Sequence, residues 1–238
     1  MGRKAIDSDA LSLDGDRLAV GASGSNSAYI FEQNADGSWS QVTKILSLDG
    51  RPGDRFGGSL SLDGDRVAVG AYGDDFNGSS SGSAYIFDRD ADGSWSQVAK
   101  ILPLDGRPGD DFGEAVSLDG DRLAVGAAGN DDNGSGSGSA YIFERNADGI
   151  WSPVTKILPL DGQAGDDFGE AVSLDDDRLA VGAQDDDDNG SNSGSAYIFE
   201  RNEDGNWPPV TKILPLDGQA SDAFGDAVSL DGDRLAVG

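Results

Sequence analysis

The pair Phe-Gly returns at Phe56, Phe112, Phe168 and Phe224, each 56 residues after the last. A period near 50 with several strand-like runs per unit marks a repeated supersecondary module. Unit three shows the pattern: Phe112-Gly-Glu-Ala-Val-Ser, Arg122-Leu-Ala-Val-Gly-Ala, Ser139-Ala-Tyr-Ile-Phe-Glu, and Trp151-Ser-Pro-Val-Thr-Lys-Ile-Leu. These are four short runs rich in β-branched and aromatic residues, each bounded by Gly, Asp, Asn or Pro. No stretch carries helical periodicity free of such breakers, so the chain reads as all-β.

Four strands per unit make one propeller blade. The runs are apolar at successive positions rather than strictly alternating, which fits a sheet covered on both faces by its neighbours. The Gly-Ala pair after each second strand (Gly126-Ala127, Gly182-Ala183) lets adjacent sheets approach closely. Trp39, Trp95, Trp151 and Trp207, each opening a fourth strand, read as packing between blades rather than as ligand contacts. The units run approximately over residues 7–55, 56–111, 112–167 and 168–223, with a partial unit over 224–238.

The residues Phe112-Gly113, Leu123-Ala-Val-Gly-Ala127 and Tyr141-Ile-Phe143 resemble FG-GAP repeats, which form the blades of the integrin alpha-subunit propeller and of many secreted or surface-anchored bacterial proteins. The Ser117–Arg122 hairpin and the Asp/Asn/Gly/Ser-rich loop bring the likeness nearer to the bacterial variety. The resemblance implies a β-propeller, a non-catalytic binding or adhesion role, and an extracellular or cell-surface location. A propeller hosts many unrelated activities, so the fold alone names no ligand.

The chain has 238 residues and a formal net charge of −27. That charge argues against nucleic acid and anionic membrane surfaces as partners. Cys is absent, so there is neither a disulfide framework nor a thiol nucleophile. No apolar run approaches membrane-spanning length, and Met1-Gly-Arg-Lys-Ala-Ile is too short and polar for a signal peptide. Unit one is eroded: Gly21 to Tyr29 is 8 residues against 15 from Gly70 to Tyr85, and Asp7-Ser8 stands where later units have Phe-Gly.

In a propeller, the loops joining strand two to strand three emerge on one face together with the blade-to-blade loops. The tight hairpins, such as Asp119-Gly120-Asp121, emerge on the other, and turn chemistry explains them. The first face gathers Asp74–Gly78, Asn130–Gly134 and Asp185–Gly190. The blade-to-blade loops add Asp54, Asp110, Asp111, Asp166, Asp167 and Asp222. The expectation is an acidic crown whose like charges repel unless a cation offsets them.

Asp185-x-Asp187-x-Asn189-Gly190 matches the first half of a calcium loop, in which alternate oxygen side chains converge on one hard cation. The corresponding candidates are Asp131 with Asn133 and Asp75 with Asn77. No acid follows at the twelfth position, where Ala196 sits, so a neighbouring loop such as Asp166-Asp167 would have to contribute. The integrin calcium loop lies between strands one and two, and here that connection is only Leu118-Asp-Gly-Asp-Arg122. The integrin sites therefore do not carry over. Asn77-Gly-Ser79, Asn133-Gly-Ser135 and Asn189-Gly-Ser191 also fit a glycosylation pattern that Gly/Ser-rich turns produce by chance.

There is no His, no Cys and no nucleophile-elbow or phosphate-loop motif. The paired acids recur in every unit, whereas an active site breaks repeat symmetry, so no enzyme is expected. The expected function is a calcium-stabilised binding or adhesion module meeting a protein or glycan ligand through its acidic loop face. The alternative is a self-assembling scaffold with no ligand of its own. Counting strands gives about four and a half blades, so Lys4-Ala5-Ile6 could return as an outer strand, or two chains could close one ring as a homodimer. A piece of a longer propeller is a further reading.

Overall fold

A computed structural model describes residues 10–238. It forms four four-stranded antiparallel sheets and a two-stranded one. The first sheet holds β1 (Leu11–Asp14), β2 (Arg17–Ala22), β3 (Ser27–Gln33) and β4 (Trp39–Ile45). The second holds β5 (Leu60–Asp63), β6 (Arg66–Ala71), β7 (Ser83–Arg89) and β8 (Trp95–Ile101). The third holds β9 (Val116–Asp119), β10 (Arg122–Ala127), β11 (Ser139–Arg145) and β12 (Trp151–Ile157). The fourth holds β13 (Val172–Asp175), β14 (Arg178–Ala183), β15 (Ser195–Glu200) and β16 (Pro209–Ile213), and a hairpin of β17 (Val228–Asp231) and β18 (Arg234–Val237) follows. Strands pair in simple meander order within each sheet. The chain is thus a run of propeller blades.

Alternation is present after all, in side-chain size rather than polarity. In the second blade Val67 lies opposite Phe87 and Val69 opposite Tyr85, while Ala68 lies opposite Ile86 and Gly70 opposite Ala84. A strand sends successive side chains to opposite faces, so each blade has one bulky face and one small-residue face. Bulky packs on small at every junction: Ala68, Ala84, Ile86 and Ile101 meet Phe112, Leu123, Val125, Tyr141 and Phe143 of the next blade. Phe56, Phe112 and Phe168 each anchor the bulky face of their own blade, with Phe112 edge-on to Tyr141 at 5.3 Å and to Phe143 at 6.0 Å.

The glycine of that pair explains the Gly-Ala of the second strands. A Cβ placed on Gly126 would fall 1.8 Å from the carbonyl oxygen of Gly169 in the next blade, and Gly70 meets Gly113 in the same way. Only a residue without a side chain admits that approach. Trp95, Trp151 and Trp207 pack into the three junctions that precede their blades, as expected, whereas Trp39 is exposed.

The first strands of successive blades pack on one another, β1 with β5, β5 with β9, β9 with β13 and β13 with β17. They form the inner rim, and the fourth strands form the outer one. That packing does not recur between β17 and β1, so the described residues make an open arc rather than a closed ring. Lys4-Ala5-Ile6 and Asp7-Ser8 lie outside the described residues. Among the described residues no helix is long and apolar enough to cross a membrane.

Candidate functional site

The loop face is held together by lysines. In each outer strand a Lys stands opposite the Tyr of the third strand, as with Lys100 and Tyr85, Lys156 and Tyr141, and Lys212 and Tyr197. The shared register puts both side chains on one face, and each ammonium lies about 5 Å from the ring centroid. The Lys212 ammonium also reaches Asp161 at 2.9 Å, Asp186 at 2.7 Å and Asp188 at 2.6 Å. Lys100 holds Asp49 and Asp74 at 2.7 and 2.9 Å.

Each Tyr hydroxyl donates to the blade-to-blade loop, as Tyr197 does to Asp161 at 2.9 Å. One ammonium therefore pins three segments: its own strand, the loop between strands two and three, and the loop arriving from the preceding blade. Burial works against the charge of Lys212, but hydrogen bonds with Asp186, Asp188, Tyr197 and Asp161 outweigh it and hold the ammonium above the ordinary lysine range. Burial raises Tyr85 and Tyr141 to about 12. In the third blade Asn130 replaces the buried acid, and Asp132 meets Lys156 instead.

These lysines were missed in the sequence, where Thr-Lys-Ile read only as strand. The signal was there: a single Lys recurs at Lys44, Lys100, Lys156 and Lys212 in an otherwise acidic chain.

The seven residues read as calcium ligands are placed differently from one another. Asp75, Asp131 and Asp187 each turn one carboxylate oxygen back on their own loop, accepting the N–H of Ser80, Gly136 and Asn192 at 2.7–2.8 Å. Asn133 and Asn189 donate to the carbonyls of Pro159 and Pro215, and thereby to the loop leaving their own blade. Asn77 donates its backbone N–H to Ser81 Oγ. Asp185 faces Asp167 and raises its proton affinity. The alternate side chains of 185–189 thus do not converge on a single point. Among the described residues no group of three or more acids is arranged to hold a metal ion.

The acidic crown divides into two populations. Asp54, Asp110 and Asp166 are buried and accept backbone N–H groups of Arg51, Arg107 and Gln163, so they shape the loops. Asp111, Asp167, Glu114 and Glu170 instead sit beside the Phe-Gly pairs, where Glu114 feels Asp111 and Asp167, and Glu170 feels Glu114 and Asp167. Burial first, and then repulsion from neighbouring acids (Asp110 for Asp111, chiefly Asp185 for Asp167, Asp111 and Asp167 for Glu114, chiefly Glu114 for Glu170), raises Asp111 and Asp167 to about 6, Glu114 to about 7 and Glu170 to about 8. Glu114 and Glu170 were missed because they read as the polar positions of a strand edge. Nothing local shows that neighbouring blades bring them together.

Unit two breaks the symmetry. Phe76 stands where the later units have Asp132 and Asp188, is 66% exposed, and lies 4.9 Å from the Lys100 ammonium. It borders a recess of about 250 Å³ lined by Asp49, Arg51, Asp54, Asp74, Asp75 and Lys100.

The model of the FG-GAP repeat matches residues 39–87, 95–143, 151–199 and 207–238, which is most of the chain. The chain belongs to the FG-GAP repeat family. The first three FG-GAP matches begin on the outer strand of one blade and end on the third strand of the next. The family unit therefore contains a whole Phe-Gly junction rather than a whole sheet. Among solved structures, a protein from Lactobacillus plantarum shares the fold at a TM-score of 0.58 and 15% identity, over 96% of this chain and 69% of that one. A functionally unknown protein from Desulfotomaculum acetoxidans gives a TM-score of 0.55 and 13% identity, over 93% of this chain and 57% of that one. At such identities the likeness concerns the fold. Among curated proteins none matches.

Proposed function

We propose that this FG-GAP propeller is a non-catalytic binding module working outside the cell, and that it meets a protein or glycan through the recess beside Phe76. The observation that carries the reading is the exposed Phe76 ring, an aromatic on the loop face at a position where the later units have an acid. A rigid scaffold presenting loops is the common seat of recognition. A recess with one apolar wall and a few convergent polar groups suits an oriented ligand. The ring offers an apolar face to a sugar or side chain, while Asp49, Asp75 and Lys100 offer acceptors and donors for hydroxyl or amide groups. Extracellular work accords with the family, and the lack of cysteine does not exclude it.

Calcium enters the same reading as a counter-ion of the crowded carboxylates. Glu114 and Glu170 repel each other and Asp167 when ionised, and divalent counter-ions gathered around the acidic face, without a shared ligand set, lessen that repulsion. The test uses arrays of immobilised glycans and peptides probed with the labelled chain in calcium and in chelator. Hits that vanish with Phe76→Ala support the reading. Hits unchanged by that substitution, or none at all, overturn it. For calcium, melting is compared in calcium, magnesium and sodium chloride at matched ionic strength. Equal curves in all three remove it.

A further inference from the structure

Phe76 does more than add an apolar wall: it removes a carboxylate that the sister units place at the same point. The loop backbone is alike in all three units. The N–H of Phe76, Asp132 and Asp188 each meets the side-chain oxygen two residues earlier, at 2.9–3.2 Å. Only the side chain differs. In unit three Asp132 accepts from Arg107 at 3.3 Å and from Lys156 at 2.5 Å. In unit four Asp188 accepts from Lys212 at 2.6 Å, and Gln163 stands where unit three has Arg107. A carboxylate at this point is thus met by a lysine and, where the unit has one, by an arginine.

Unit two keeps both cations and has lost the acid. Arg51 holds the place of Arg107 and is exposed, and its guanidinium has no partner among the described residues. Lys100 holds Asp49 and Asp74, but it lacks the third carboxylate that Lys212 has. Unit four is the direct comparison. Asp49, Asp54, Asp74 and Asp75 match its Asp161, Asp166, Asp186 and Asp187, while Arg51 replaces Gln163 and Phe76 replaces Asp188. At this point unit two is therefore more positive by one gained guanidinium and one lost carboxylate. The surrounding acids do not exclude a carboxylate here, because unit four carries the same four with Asp188 among them.

What results is a recess of about 250 Å³ lined by both cations, with an exposed aromatic ring 4.9 Å from the Lys100 ammonium. We infer that the ligand itself supplies the missing carboxylate, and that it is a uronic-acid residue of a glycan. This rests on the reading of the recess as the binding site and adds the group that is recognised there.

A guanidinium and an ammonium meet carboxylate oxygens with charge-assisted bonds, the stronger kind. A uronic acid carries its carboxylate directly on the sugar ring, so the anion and the apolar ring face are held rigidly side by side, as the cations and the Phe76 ring are. A peptide acid carries its carboxylate on a rotatable stem and must bring an apolar group from another residue, which costs ordering on binding. The sugar hydroxyls find an acceptor in Asp75, whose Oδ1 is taken by the N–H of Ser80 and whose other oxygen is not. The recess is smaller than a pocket for a drug-sized ligand, so it holds one sugar unit.

The test titrates the full chain with methyl glucuronide, methyl glucoside and N-acetylglutamate methylamide, and follows backbone N–H shifts by nuclear magnetic resonance. Wild type binds the glucuronide about tenfold more tightly than the glucoside, with shifts centred on residues 49–51, 74–76 and 100, and added salt weakens it. Arg51→Gln gives unit two the residue of unit four; it lowers glucuronide affinity about tenfold and leaves the glucoside unchanged. Phe76→Asp puts the carboxylate back and abolishes glucuronide binding, while the variant melts no lower than wild type because Asp188 is accommodated at that place. An Arg51→Gln variant that binds the glucuronide like wild type overturns the inference, as does a Phe76→Asp variant that still binds it. So does the glutamate amide binding as tightly as the glucuronide, which would mean an acidic peptide. A glucoside equal to the glucuronide, with both lost in Phe76→Ala, sinks the carboxylate alone. No Phe76-dependent binding of any probe or array ligand sinks the recess as well.

Discussion

The side-chain oxygen of Asn26 accepts the backbone N–H of Phe56 at 3.2 Å. In every later unit that N–H is met by a backbone carbonyl of the long loop, as Phe112 is by Ser81 and Phe168 by Ser137. The shortened first loop cannot reach, and one carboxamide replaces it. Asn26 also donates to the Arg51 carbonyl at 2.8 Å and sits at a positive φ of 47°, a conformation that Asn tolerates better than most residues.

Asn26→Ala therefore costs about 1–3 kcal/mol, since it leaves a buried N–H unmet. Urea unfolding measures it. The loss falls on the first junction, so hydrogen exchange speeds at Phe56 and not at Phe168.

Lys212→Met removes the cation from Asp186, which is 2% exposed. Stripping one partner from a buried pair costs on the order of 3 kcal/mol. Lys44 provides the control: it lies 5.4 Å from the Tyr29 ring and has no carboxylate partner among the described residues. Lys44→Met shifts stability by less than about 0.5 kcal/mol. Equal effects for the two would show that the pinned loops contribute nothing.

Gly126→Ala forces a Cβ against the Gly169 carbonyl and pushes two blades apart. Overpacking against backbone costs about 3 kcal/mol or more, read from the urea midpoint. Gly24→Ala, which meets nothing within 4 Å, leaves the midpoint within error.

Stability depends on pH through the acids beside the Phe-Gly pairs. A carboxyl with a raised folded value binds protons more readily in the folded state, so stability falls as pH rises through the window between the two values. For Glu170 that window runs from 4.5 to about 8. Burial is the first cause, with Glu114, Asp167, Asp226 and Asp185 adding repulsion. Melting temperature declines from mildly acid to mildly alkaline pH, and Glu170→Gln flattens the decline. Below this range the sign reverses at Asp161: burial raises its carboxyl, but Lys212 and Tyr197 outweigh that and hold it low, so stability falls again as its folded value is passed.

The repeat, the four strands per unit, the inter-blade role of Trp95, Trp151 and Trp207, and the gathering of acids on one face were all legible in the residues. They follow from local pattern, because a strand and its turns are specified within a dozen positions. The separate tasks of the acids were not. Asp54 and Asp111 look alike in sequence, yet one caps its own loop and the other sits beside a Phe-Gly pair near Glu114, and only the fold distinguishes them.

Sequence alone determined the blade: a period of 56, β-rich runs between breakers, and glycines at constant places. Tertiary structure decided what each polar residue meets, because those partners lie about one period away along the chain. Lys212 and Asp161 are brought together only when one blade has packed on the next. A repeat written in sequence specifies a junction, but which polar groups meet across it depends on the surface that comes to lie beside it.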